Sequence, residues 1–252
     1  HTRYISVTGV QTCALPILTN TDGTITSQVR ANPTAGFSIV TYTGNGTAGA
    51  TVGHGLNSAL KMLIVKNRTQ GTYGNWQVWN SSLTGSQYLE LNANHETYTN
   101  TNRWNGTIPT SDVFSLGADS FGNTNKSGDT YVAYCFAEVA GYSKFGSYTG
   151  NGSADGPFVY LGFRPKYVLI KAAIGNTGNW GAFDSSRDTY NIMSGRMELE
   201  SSSAENTGTP SIDFTSNGFK IRTTNGTFNY NSSTTYIYMA FAESPFKYAL
   251  AR

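Results

Sequence analysis

The chain has 252 residues, a formal net charge of +2 and only 13% charged side chains, about half the usual share, while aromatics reach 13%. That aromatic content excludes the disordered class, whose chains are poor in rings and rich in charge. The near-neutral balance gives no electrostatic footing for nucleic acid, and no apolar stretch approaches the roughly 18 residues that a membrane-inserted helix needs.

Residues 1–17 match nothing downstream and resemble the translated read-through of a sequencing adapter. A signal peptide is the rival reading, but Thr8, Gln11 and Thr12 interrupt any apolar run after Arg3. The stretch is therefore expected to be non-native and to make few contacts with the body. Without Arg3 the chain carries 16 basic and 15 acidic residues. Residues 18–36 are polar, with Asn32-Pro33 as a turn signal, and read as a linker or a strand leading into the fold. Cys13 lies in the odd leading stretch, and Cys135, between Tyr134 and Phe136, reads as a small buried hydrophobe. Two such cysteines make no disulfide framework, which fits folding in a reducing cytoplasm.

Strands are predicted at residues 37–43, 62–66, 76–80, 88–91, 113–116 and 131–138, then at 144–149, 158–163, 167–171, 180–184, 197–200, 218–222 and 236–243. Tyr, Phe, Val, Ile and Thr fill them, and Gly and Asn turns such as Thr43-Gly44-Asn45-Gly46 and Asn225-Gly226 separate them. No segment sustains a helical period; residues 56–60 allow one short turn.

The second half repeats the first. Tyr42-Thr43-Gly44-Asn45-Gly46 returns as Tyr148-Thr149-Gly150-Asn151-Gly152, Lys66 as Lys171, Gly74-Asn75-Trp76 as Gly178-Asn179-Trp180, and Phe136-Ala137-Glu138 as Phe241-Ala242-Glu243, always 104 to 106 residues on. That period exceeds the 20–50 residues of a solenoid repeat. The expected fold is all-β: two tandem antiparallel β-sandwiches, jelly-roll-like and related by internal duplication, over residues 37–141 and 142–252. In the last strands Val132, Tyr134 and Phe136 share one face and Ala133, Cys135 and Ala137 the other, with Ile237, Met239 and Phe241 corresponding. Large residues on one side and small on the other predict a strand buried on both faces, with Phe136 and Phe241 as core anchors.

Recognised catalytic patterns are weak. Gly44-Asn45-Gly46-Thr47-Ala48-Gly49 satisfies GxGxxG, but no helix follows to meet a pyrophosphate, so it reads as a turn. His54 and His95 each occur in one copy only and read as solvated loop residues. No metal motif or nucleophile elbow is present, so no cofactor or metal is expected. Asp184 with Asp188, or Glu198 with Glu200, could serve a glycosidase on paper, although strand alternation makes the latter two same-face neighbours of a solvated edge. The aromatic positions point to ligand binding instead. Trp76 and Trp180, present in both copies, read as core, whereas Trp79, Arg103, Trp104 and Asn105 are candidates for a sugar-binding surface, with Trp104 exposed. The abundant sequons follow from composition.

The phrase Gly128-Asp129-Thr130-Tyr131-Val132-Ala133-Tyr134, continued by Phe136-Ala137-Glu138 and by Gly141-Tyr142-Ser143-Lys144-Phe145-Gly146-Ser147-Tyr148-Thr149-Gly150, resembles a β-domain family of marine tailed bacteriophages and environmental viral sequence. Gly162-Phe163-Arg164-Pro165 and the ending through Pro245-Phe246 fit it too. The resemblance implies a virion, tail or tail-fibre component, assembled in the host cytoplasm as a homo-oligomer beside other virion proteins and binding host-surface polysaccharide. It carries over no site residue. Two classes therefore stand: a non-enzymatic structural and adhesion module, or a carbohydrate-active enzyme or its binding module. A groove with two facing carboxylates would separate them. Finally, the four charges Lys66, Glu138, Lys171 and Glu243 close strands in both copies, which predicts the ion pairs Lys66–Glu138 and Lys171–Glu243 at the rims of the two cores.

Overall fold

A computed structural model describes residues 16–70 and 74–244, and the chain is all-β across them. The first half contributes β1 (Leu18–Asn20), β2 (Ser27–Asn32), β3 (Phe37–Thr43), β4 (Ala50–Gly53), β5 (Leu60–Asn67), β6 (Gln77–Asn80), β7 (Gln87–Glu90), β8 (Tyr98–Thr99), β9 (Val113–Leu116) and β10 (Thr130–Ala137). The second contributes β11 (Ser143–Thr149), β12 (Phe158–Tyr160), β13 (Pro165–Ile174), β14 (Gly181–Asp184), β15 (Met197–Glu198), β16 (Ile212–Thr215), β17 (Gly218–Ile221) and β18 (Thr235–Ala242). Single helical turns, α1 (Thr101–Trp104) and α2 (Gly226–Asn229), start on the side chains of Asn100 and Asn225. The expected non-native stretch falls mostly on residues 1–15, outside the described residues. Residues 18–32 form β1 and β2, and Asn32 Oδ1 accepts the Ala35 amide at 3.1 Å to start the turn that leads into β3.

Among the described residues every paired strand is antiparallel to its neighbour and local to one half, with one isolated parallel bridge between Ile25 and Val52. The first half builds a sheet in the order β1-β2-β3-β10-β5-β6-β7-β8 with β4-β9 facing it; the second builds β11-β18-β13-β14-β15 with β12-β17-β16 facing it. The same interior geometry recurs in both sandwiches. Tyr42 stacks on Tyr131 at 5.0 Å and meets the edge of Phe114, while Tyr148 stacks on Tyr236 at 5.0 Å and meets the edge of Phe219. The buried Tyr42 hydroxyl donates to Thr124 O and that of Tyr148 to Phe228 O, each at 2.7 Å. The Gly-Asn-Gly turns are held alike: Asn125 Oδ1 accepts the amides of Asn45 and Gly46, and Asn229 Oδ1 those of Asn151 and Gly152. These amides are consumed inside the fold, so the GxGxxG match is a clamped turn.

The two sandwiches are not independent. Their large sheets lie face to face, and one apolar cluster runs from Val40, Leu63 and Cys135 in the first to Leu169, Trp180, Ile237 and Met239 in the second. This arrangement corrects the reading of Phe136 and Phe241. Both are half-buried at the seam between the sheets, whereas the inner face of β10 carries Tyr131 followed by the small Ala133 and Cys135, all at 0% exposure. Phe136 and Phe241 face outward from their own sandwiches, toward the sheet that packs against them.

The predicted ion pairs do not form. Lys66 lies opposite Val132 in the β5–β10 ladder, and Glu138 follows the far end of β10, about 20 Å along an extended chain. Antiparallel neighbours put their C-terminal ends at opposite edges, so two strand-closing residues cannot meet. Lys66 Nζ instead donates to Gly74 O and sits 6.0 Å from the Trp76 ring centroid. Lys171, fully buried, sits 6.0 Å from the Trp180 ring and donates to His95 O at 2.6 Å and Ala172 O at 2.7 Å. Glu138 accepts the Phe145 amide at 3.3 Å, and Glu243 pairs with Arg164 at 3.0 Å.

Candidate functional site

The residues singled out for ligand binding fall mostly in the core. Trp79 is 3% exposed and donates its indole N–H to Thr84 O at 3.2 Å, since its β6 position shares the inner face with Leu63 and Cys135. Trp104, expected at the surface, is 1% exposed, because the single turn of α1 rolls it inward. Arg103 is buried beside it, paired with Asp119 at 3.2 Å, bonded to Gln77 Oε1 at 3.1 Å and 4.9 Å from the Tyr88 ring. Asn105 alone of the four is exposed, and it ends α1 in the left-handed conformation at φ 54°. The four therefore form no common binding surface.

The same holds for the titratable candidates. His54 is fully buried, contrary to the solvated reading; burial lowers its pKa, and its Nδ1 accepts the Leu56 amide at 3.3 Å. His95 is exposed, and its carbonyl is the part that serves the fold, through Lys171. Glu198 pairs with Arg196 at 3.2 Å and Glu200 accepts the Trp180 amide at 3.0 Å. Asp184 is paired with Arg187, and Asp188 accepts the amides of Ser194 and Gly195 at 2.7 and 3.0 Å. Each carboxylate is held by a structural partner rather than aimed into a shared groove. No group of three or more His, Cys, Asp or Glu residues that could hold a metal occurs among the described residues.

The concave feature with the chemistry of a binding site lies at the seam. The second half covers only part of the outer face of the first sheet, and the uncovered part by β2 and β3 forms the floor of a cleft of about 430 Å³. Phe37, Ile39 and Phe136 line that floor, and Tyr142 and Phe241 form the wall supplied by the second half. The rings are mutually braced: Phe37–Phe136 at 4.9 Å, Phe136–Phe241 at 6.4 Å and Tyr142–Phe241 at 5.7 Å. Arg30 and Asn32, neighbours on one face of β2, supply the polar rim. A volume of that size, mostly apolar with a few convergent polar groups, suits a small ligand. Of these residues Phe136 and Phe241 stood out in the sequence as core anchors and Asn32 as part of a turn signal, none of them as a binding residue. The signal that was legible is the alternation of Phe37 with Ile39 and of Arg30 with Asn32; that they meet Tyr142 is a matter of tertiary packing.

No helix long and apolar enough to cross a membrane occurs among the described residues. The chain belongs to the family described as Domain of unknown function (DUF7483), whose model matches residues 13–245. Neither the comparison with curated proteins nor that with solved structures gave a match.

Proposed function

We propose that this member of the DUF7483 family is a non-enzymatic structural and adhesion module of a phage virion, in a tail or tail fibre, and that its seam cleft takes a saccharide of the host surface. The observation that carries the binding part is the cleft itself. Ring faces fixed by packing offer flat apolar platforms at low entropic cost, and Arg30 and Asn32 offer hydrogen bonds at one rim. The resemblance of the central phrase, residues 128–150, to β-domains of marine tailed phages supports the virion part, as does the likeness of the two sandwiches, which suits a duplicated building block. Other virion proteins and further copies of the chain are its expected neighbours.

A saccharide array probed with the purified chain tests the binding part, with Tyr142→Ala as the control. Tyr142 lines the cleft while remaining half-exposed, so its truncation spares the core. Binding that is lost in the variant supports the assignment; binding that survives it places the ligand elsewhere, and no binding to any saccharide sinks it. Protein mass spectrometry of purified particles tests the virion part separately.

A further inference from the structure

We propose that the outer edge of β11 accepts an extended strand from a protein partner, laid antiparallel as β2 lies on β3. The two sandwiches show the edge filled by β2 and, in the second, without a strand among the described residues, though its first outward amide, that of Ser143, turns back onto Val139 O at 2.9 Å. In the first, residues 28–32 pair with residues 41–37 along the outer edge of β3, and one step earlier Ile25 bridges Val52 on the facing layer. Ile25, Ser27 and Val29 all point into the sandwich and are buried.

The second sandwich carries the same edge in the same register. Thr43 faces Thr130 and Phe37 faces Phe136, as Thr149 faces Thr235 and Ser143 faces Phe241. Residues 143–147 therefore stand where residues 37–41 stand. Yet the chain arrives at β11 directly from β10, through residues 138–142, so it brings no preceding hairpin. Among the described residues no strand pairs with the outer edge of β11 or with that of β12. Where Ile25 bridges Val52 of β4, its counterpart Val159 on β12 has no such bridge among the described residues, and Lys144 of β11 reaches across to lie 5.5 Å from the Tyr160 ring.

The edge is also guarded. Glu138 places its carboxylate on the outward amide of Phe145, and a charge at an unpaired edge discourages indiscriminate pairing. Phe145 corresponds to Ile39, whose partner on β2 is Arg30. A basic residue at that place in an incoming strand would release the amide and pair with Glu138. The partner is thus an extended segment with small or β-branched residues at alternate positions and a basic residue opposite Phe145, the mode of strand addition.

The probe is a synthetic peptide with the sequence of residues 23–33, titrated into the full chain. Saturable binding is expected at peptide concentrations up to about 1 mM, weakened about tenfold or more by Ser147→Pro. Ser147 shares the outward parity of Phe145, and proline at an edge position leaves the ladder to β18 intact. Replacing the arginine of the peptide by glutamate should weaken binding, and Glu138→Lys in the chain should restore it. If Ser147→Pro does not fold, hydrogen exchange on the unaltered chain decides, since the peptide should slow the amides of Phe145 and Ser147. Absence of binding, binding indifferent to Ser147→Pro, or altered exchange confined to β3 would overturn the proposal. Self-association without peptide that Ser147→Pro abolishes would overturn it too, by making a second copy the occupant.

Discussion

The rings of Phe136 and Phe241, which close corresponding strands of the two halves, meet at 6.4 Å across the seam, inclined by 57°. Phe145 bridges them, 6.0 Å from the one and 6.1 Å from the other. Each ring thus serves the junction of the two sandwiches rather than the interior of its own.

That contact makes the two halves energetically dependent. Phe136→Ala is expected to cost about 2–4 kcal/mol, short of the full range for a buried Phe because the ring is half-exposed. In combination with Phe241→Ala the losses should not add, since contacting residues couple by about 0.5–3 kcal/mol. Urea unfolding of the four proteins measures this. Strict additivity would mean that the seam carries little of the stability.

A second prediction comes from a complementary exchange of volume. The pair Val40 and Ala133, neighbours in the first sandwich, is replaced by Gly146 and Tyr238 in the second. A Cβ on Gly146 would lie 2.9 Å from the Tyr238 hydroxyl and 3.1 Å from its ring. Gly146→Val alone should therefore crowd the ring, and Tyr238→Ala alone should leave a void, each costing about 1–4 kcal/mol. The double variant restores the arrangement of the first half and should be more stable than the sum of the singles predicts. A cycle with no favourable coupling would refute the exchange.

Lys171 should give the stability a pH dependence of unusual sign. Burial, the dominant effect, lowers its pKa to about 8, with Glu200 and Glu96 opposing it. In the unfolded chain a lysine titrates near ~10.4, so between these values the unfolded state holds more protons and stability rises with pH. The stability difference between the unaltered chain and Lys171→Met should therefore shift in favour of lysine by ~1–3 kcal/mol from about pH 8 to about pH 10.5, and stay level below pH 8. Denaturant titrations across that range check it; a flat difference would show that the ammonium is solvated.

Cys135 is predicted to be inert in the native state. It is fully buried, and burial pushes its thiol up to about 12, leaving almost no thiolate at neutral pH. In a Cys13→Ser background, a thiol reagent should modify Cys135 only as fast as the protein unfolds. Rapid labelling at a rate first-order in reagent would contradict the buried position of β10.

Much of the fold was legible because alternation and turn chemistry act locally. The strands at 37–43 and 113–116 coincide with β3 and β9, and the Gly44-Asn45-Gly46 turn lies where β3 ends, although it leads to the facing sheet rather than closing a hairpin, and Asn225 opens α2. The sequence also showed Tyr42 with Tyr148 and Lys66 with Lys171 in matched places, and these pairs do have matched surroundings. Strands β4 (Ala50–Gly53) and β16 (Ile212–Thr215) escaped prediction because four residues are too few to display a sustained alternation. The binding candidates failed for a different reason. Trp104 sits among Asn102, Arg103 and Asn105, a polar neighbourhood in sequence, but one helical turn points it and Arg103 inward while their neighbours stay in water.

By itself the sequence determined the all-β class, the position of most strands and the inner pattern of each sandwich, because a period of two records which face of a strand is apolar. It did not record what covers that face. Whether Phe136 looks into a core, a seam or solvent depends on a sheet formed by residues 100 or so positions away, and only the tertiary structure placed that sheet. The ion pairs illustrate the same limit: Lys66 and Glu138 both close strands, yet the antiparallel direction of β5 and β10 sets them at opposite ends. The cleft, the guarded edge of β11 and the burial of Lys171 are likewise products of how two sheets meet, which no local pattern encodes.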